Sequence, residues 1–158
     1  MLGKKRKLGK KIKEIQVGDS YENEIVIKDR DLLLYLGLTN DANPLYIQHD
    51  YASQTPFERP IVPSIMVYGM VSASISMHLP GPGSHVVQSN ISYPHPVYHY
   101  EKVKLSLKVE EVNVKEHFAL IKAEGKREDG KCVLSGVVKV CPAYEPKSMN
   151  SHSLDNFY

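Results

Sequence analysis

The segment LTNDANPLYIQHDYASQTPFERPIV, residues 38–62, sets Asp41 and Asn43 among Tyr46, Tyr51 and Phe57, directly before a strongly apolar run. A carboxylate pressed against apolar surface loses solvation of its charged form; its pKa rises and it becomes a serviceable general base. The run NDANP favours such a placement, because Asn and Asp bond to the local backbone and Pro44 fixes the turn. The same spacing also suits a plain turn in which Asp41 bonds the amides of residues 43 and 44. The residues alone leave both readings open. A segment of this length without regular structure inside a compact domain nevertheless points to function.

Other groups of chemical interest are scattered. His49 stands in a position expected to begin a short helix, His78 ends a longer one, and His95 and His99 flank Pro96 and Val97. HPVYH is a poor metal motif, because proline spoils helical presentation of its two imidazoles and no third ligand is at hand. No metal is expected. Cys132 and Cys141 lie in one apolar run, KCVLSGVVKVCP, without the spacing of a metal site, and are expected as buried free thiols.

The elements that must position these residues can be read from periodicity. GDSYENEIVI predicts a strand, and KDRDLLLYLGL a short amphipathic helix with an acidic first turn. From Ser64 to His78 a helix is predicted, opened by Pro63 and stopped by the Pro and Gly cluster at 80–83. It is apolar nearly all round, so it must be enclosed. SHVVQSNISY, KVKLSLKVEEVNV, HFALIKAEGKRE and KCVLSGVVKVCP predict successive strands, with EDGK as a hairpin turn. The fold class is α+β, a long central apolar helix wrapped by a curved antiparallel sheet.

At 158 residues and 42% hydrophobic content the chain suits one domain. Its net charge of +2 is unevenly laid out: Lys4, Lys5, Arg6, Lys7, Lys10, Lys11 and Lys13 precede any acidic residue, which leaves 13 basic against 18 acidic side chains elsewhere. The expected organisation is a basic loose tail over 1–13, a domain over 14–144 and a second loose tail over 145–158. The basic cluster is read as solvated, not as a nucleic-acid or membrane site. No apolar export region or membrane span is evident, and a cytoplasmic location is expected.

The string from Asp41 through FERPIV, with the helix after it and LPGPGS, resembles the MaoC-like, (R)-specific enoyl-CoA hydratases of hotdog fold. Their pattern is approximately T-G-D-x-N-P-L-H, then Y-A, then F-x-x-P-I-V-H-G-M, and the resemblance covers residues 18–142. It implies a single hotdog domain without a cofactor, acting in fatty-acid metabolism on a thioester of CoA or acyl carrier protein, as a homodimer or dimer of dimers. In that family an Asp and a His hold the water that adds across the 2,3 double bond. Asp41 matches the first; Tyr46 stands where the His is expected, and a phenol with an ordinary pKa near ~10 is a poor base at neutral pH. Pro63 and Ser64 replace His-Gly at the helix start, where a backbone N–H polarises the thioester carbonyl.

The resemblance thus nominates Asp41, Tyr46, Asn43 and Ser64 as catalytic, and Pro44, Ser72, Ile61 and Val62 as substrate-binding. Three functions follow from it: a hydratase or dehydratase, a thioester-binding protein that has lost the chemistry, and an acyl-CoA thioesterase.

Overall fold

A computed structural model describes residues 7–147. After a short 3-10 turn at Ile12–Glu14 come strand β1 (Ser20–Val26), helix α1 (Asp29–Thr39), two single-turn helices α2 (Pro44–Ile47) and α3 (His49–Ala52), and the long helix α4 (Ser64–Met77). Strands β2 (His85–Ser92), β3 (Lys102–Asn113), β4 (Phe118–Arg127) and β5 (Cys132–Cys141) complete the chain. All five strands form one antiparallel sheet in the order β1-β3-β4-β5-β2. This is the hotdog arrangement expected from the sequence.

Alternation makes the sheet one-sided. Val103, Leu105, Leu107 and Val109 are buried, whereas Lys104, Lys108 and Glu110 between them face water. Register shifts at Val109/Glu111, Gly125/Lys126 and Val86/Gln88 add the local twist that curves a sheet. At Gly136 on β5 a Cβ would sit 2.0 Å from the Asn90 carbonyl oxygen of β2, so only glycine admits the edge strand this closely.

Helix α4 contributes Met66, Val67, Val71 and Ile75 to the same core cluster as the inner residues of β3, β4 and β5. The buried Ser74 hydroxyl is satisfied by donating to the Met70 carbonyl at 2.9 Å. In the single chain the enclosure is one-sided. Ile65, Gly69, Ala73, Ser76 and Met77 share the opposite face and are exposed.

Two expectations change. The segment expected as a loose tail is docked from residue 9 onward: Gly9 N–H donates to Pro82 O at 2.8 Å, Lys10 N–H to Pro80 O at 2.9 Å, and Lys11 bridges to Ala143. Ile12 and Ile15 are buried, and Lys10 pairs with Asp19 at 2.8 Å. The lysines concealed this, because the anchors are two isoleucines and a glycine; a Cβ on Gly9 would lie 2.3 Å from Pro80 O. Residues 1–6 lie outside the described residues, as do 148–158 of the second tail, of which 145–147 are exposed. Cys132 and Cys141 are free thiols, but half-buried, because both end their strand.

Candidate active site

Asp41 is placed by the way α1 stops. Asn40 takes the left-handed conformation, φ 56°, and its N–H donates to Leu36 O at 2.8 Å. The Asp41 amide then donates to Thr39 Oγ1 at 3.2 Å, while that hydroxyl donates to Tyr35 O at 2.8 Å. The chain is thereby folded back on its own helix. The Tyr35 hydroxyl donates to Asp41 Oδ2 at 2.8 Å. This bond, followed by burial and the charge of Asp41, raises the Tyr35 phenol above its ordinary pKa, and the nearby Tyr46 phenol adds to the rise.

Asp41 and Tyr35 therefore meet, the Tyr46 phenol stands near Tyr35, and Asp41 and Tyr46 are both half-buried. The capping that Asp41 would perform in a plain turn belongs to Asn43, whose Oδ1 accepts from Leu45 N–H at 3.0 Å with Pro44 in the first turn of α2. Both Asn43 and Pro44 are exposed.

From α2 the chain is tied to the start of α4. Ile61 N–H donates to Leu45 O at 3.1 Å, Val62 N–H to Val97 O at 2.8 Å, and the Tyr98 hydroxyl to Phe57 O at 2.8 Å. Arg59 lies over the Tyr98 ring, 4.0 Å from its centroid. Ser64, the first residue of α4, has an amide without an intrahelical acceptor, at the positive end of the helix dipole.

A cavity of about 290 Å³ opens here, and its walls include Ser64, Ile61, Val62, Tyr93, His95 and Val97. Three of the nominated residues, Ser64, Ile61 and Val62, thus meet in one cavity. Asp41, Asn43, Pro44 and Tyr46 stand outside its walls, on the loop joined to it through Leu45 and Ile61. Ser72 lies further along α4, half-buried, and is not part of the wall.

Two neighbours of the site, Tyr35 and Tyr93, escaped the sequence reading. Tyr35 was hidden in a leucine run, its signal being the one polar tip in LLLYLGL. Tyr93 was read only as the end of the strand SHVVQSNISY, and His95, which follows it, was weighed only as part of a poor metal motif. The His95 loop is held by Arg127, which is nearly buried, donates to Pro96 O at 3.0 Å and contacts Glu101 at 3.1 Å and Asp129 at 2.7 Å. Hydrogen bonding to Asp129 raises the guanidinium pKa further. His95 and His99 are engaged separately, with the Cys132 carbonyl at 3.0 Å and Asp29 at 3.2 Å. Among the described residues no three His, Cys, Asp or Glu side chains gather as a metal site, and no helix is long and apolar enough to cross a membrane.

The chain is similar to several known proteins. The (R)-specific enoyl-CoA hydratase of Rhodospirillum rubrum is 33% identical over 84 residues, 53% of this chain and 58% of that protein. The 3-hydroxybutyryl-CoA dehydratase of Methylorubrum extorquens is 26% identical over 99 residues, 63% of each chain. The chain thus spans less than two thirds of the length of these relatives. An R-hydratase from Pseudomonas aeruginosa, solved without ligand, superposes with a TM-score of 0.79 at 25% identity, covering 90% of this chain and 97% of the other. The MaoC like domain family matches residues 12–130, and the chain belongs to that family.

Proposed function

We propose that the chain is a hydratase or dehydratase, adding or removing water at the 2,3 position of an acyl thioester of CoA or acyl carrier protein. The observation that carries this reading is the Asp41 carboxylate, held at 2.8 Å by the Tyr35 hydroxyl on a loop tied into the start of α4. The water that Asp41 deprotonates attacks C3. The Ser64 N–H donates to the thioester oxygen as charge develops on it, aided by the helix dipole. Tyr46 orients the water, and Asn43 acts indirectly, by capping the turn that presents it. Ile61 and Val62, on the cavity wall, flank the acyl chain. No cofactor takes part.

The exposed face of α4 and the free edge of β2, with Val87 half in water, support a homodimer or dimer of dimers. The working location proposed is the cytoplasm.

A second reading, a thioester-binding protein without chemistry, is favoured by one fact: a phenol already occupies an oxygen of the only carboxylate in this constellation. Steady-state loss of the conjugated thioester absorbance of a short 2-enoyl-CoA separates the two. Hydration by the wild type and none by Asp41→Asn, both binding acyl-CoA equally, supports the enzyme. Two inert proteins that both bind support the binder.

A further inference from the structure

Hydration of a 2-enoyl thioester moves two protons. One leaves the water as its oxygen bonds to C3; another arrives at C2 as the enolate collapses. The loop around Asp41 offers one carboxylate and two phenols, and the Tyr35 proton is already donated to Asp41. A phenol of ordinary pKa near ~10 is slow to give and retake a proton at neutral pH, whereas an imidazole, near ~6.5, is matched to it.

Among the described residues only one histidine shares a cavity with nominated residues. His78 stacks on Tyr21 at the far end of α4, with ring centroids 4.4 Å apart. His117 bonds Pro142 O at 2.9 Å and stacks on Tyr144. His49 and His99 line a separate cleft with Asp29 and Arg59, and His85 starts β2 opposite Cys141. His95 is exposed and shares its cavity with Ser64, Ile61 and Val62.

We infer that His95 is the acid–base group that exchanges the C2 proton, a reading that rests on the hydratase assignment above. The ring is oriented for it. Nδ1 lies 3.0 Å from the Cys132 carbonyl oxygen, which can only accept, so Nδ1 keeps its proton and Nε2 is the nitrogen left to exchange one. Pro94 and Pro96 stiffen the flanks, and Arg127 holds Pro96 O. The Val62 to Val97 backbone bond ties this loop to the residues that lead into Ser64, so oxyanion donor and imidazole are positioned by one contact. The ionisable groups near the ring are the Tyr93 phenol in the same cavity, the Cys132 thiol and the Arg127 guanidinium, itself engaged by Glu101 and Asp129; among the described residues no carboxylate lines the cavity.

In hydration, water oxygen bonds to C3 while Asp41 takes its proton, and the C2–C3 π pair moves into an enolate held by Ser64 N–H. The His95 imidazolium then gives its Nε2 proton to C2 as the thioester re-forms. Asp41 returns its proton to solvent and His95 takes one back, so the net change is one water added, without oxidation or reduction. Dehydration runs the same steps in reverse, the neutral Nε2 removing the C2 proton.

The test uses the full chain, a short 2-enoyl-CoA and the variant His95→Asn, whose amide nitrogen can still donate to Cys132 O, with His49→Asn as control. Expected are a fall in kcat of ~100-fold or more, a KM within about threefold, and loss of the alkaline limb of the pH–rate profile in His95→Asn, with His49→Asn unchanged. The inference is overturned if His95→Asn keeps the rate and the limb. It is equally overturned if the rate falls together with the melting temperature while the pH profile keeps its shape, which assigns His95 to holding the loop. A wild type inert toward every 2-enoyl-CoA removes the hydratase reading itself, and His95 with it.

Discussion

At its C-terminal end α4 runs into His78 and Leu79–Pro82, where the Gly9 and Lys10 amides bond Pro82 and Pro80 and a Cβ on Gly9 has no room. At its N-terminal end Ser64 stands exposed on a cavity of about 290 Å³, reached by loops that carry Asp41, Tyr46 and His95. Both ends terminate one helix and both carry backbone bonds, but the first is closed by the docked N-terminal segment, whereas the second stays open beside its loops. An end closed in this way gains stability, and the cleft of about 390 Å³ that remains beside it is walled by Lys10, Lys11, Met77 and His78, with no nominated residue. An end bordered by loops and side chains leaves amides and a cavity free for chemistry, at the expense of packing.

Substitutions that separate rate from stability break or sharpen this contrast. The largest effect is expected for Asp41→Asn: a drop in hydration rate of ~10³-fold or more with acyl-CoA affinity retained, measured by steady-state kinetics and calorimetric binding. A drop below about tenfold would remove Asp41 from the role of base. Gly9→Ala should do the opposite, because the added carbon meets backbone, which cannot rotate away. A loss of about 1–3 kcal/mol, seen as a melting temperature lower by roughly 3–10 °C, is expected with kcat at 25 °C intact. Deleting residues 1–11 should lower the melting temperature too, and an unchanged value would show that the docking adds no stability.

Tyr35→Phe removes the donor to Asp41 alone. A fall in kcat of about tenfold is expected, with stability lower by ~1 kcal/mol in urea titration. Smallest is a pH effect at the closed end. The Lys10 ammonium, then the Gln16 amide, hold the Asp19 carboxyl below its ordinary pKa. A lowered folded pKa adds stability that is present above the unfolded value of ~3.9 and is lost as pH falls through the folded value. Below about pH 4, hydrogen exchange of the Gly9 and Lys10 amides, corrected for intrinsic rate, should accelerate, while that of Val62 at the open end should not. Equal acceleration at both ends would mean global unfolding and no local latch.

Much of this architecture was legible in the chain. The alternation of Val103, Leu105, Leu107 and Val109 with charged neighbours specifies a half-buried strand, and the Pro and Gly signals bracket α4 within a residue of its ends. These features are local: backbone geometry projects side chains at a fixed period, so composition along a few turns reports which face is buried. The NDANP turn was legible for the same reason. The tertiary structure alone decided which side of α4 stays open, that Ile12 and Gly9 dock a segment whose lysines suggest a solvated tail, and that the Tyr35 hydroxyl holds Asp41. It alone brought His95 to the cavity of Ser64, through contacts of Val62 with Val97 and of His95 with Cys132. Those pairs lie more than thirty positions apart. No local period links them, because their meeting depends on how the strands register and how the sheet curves.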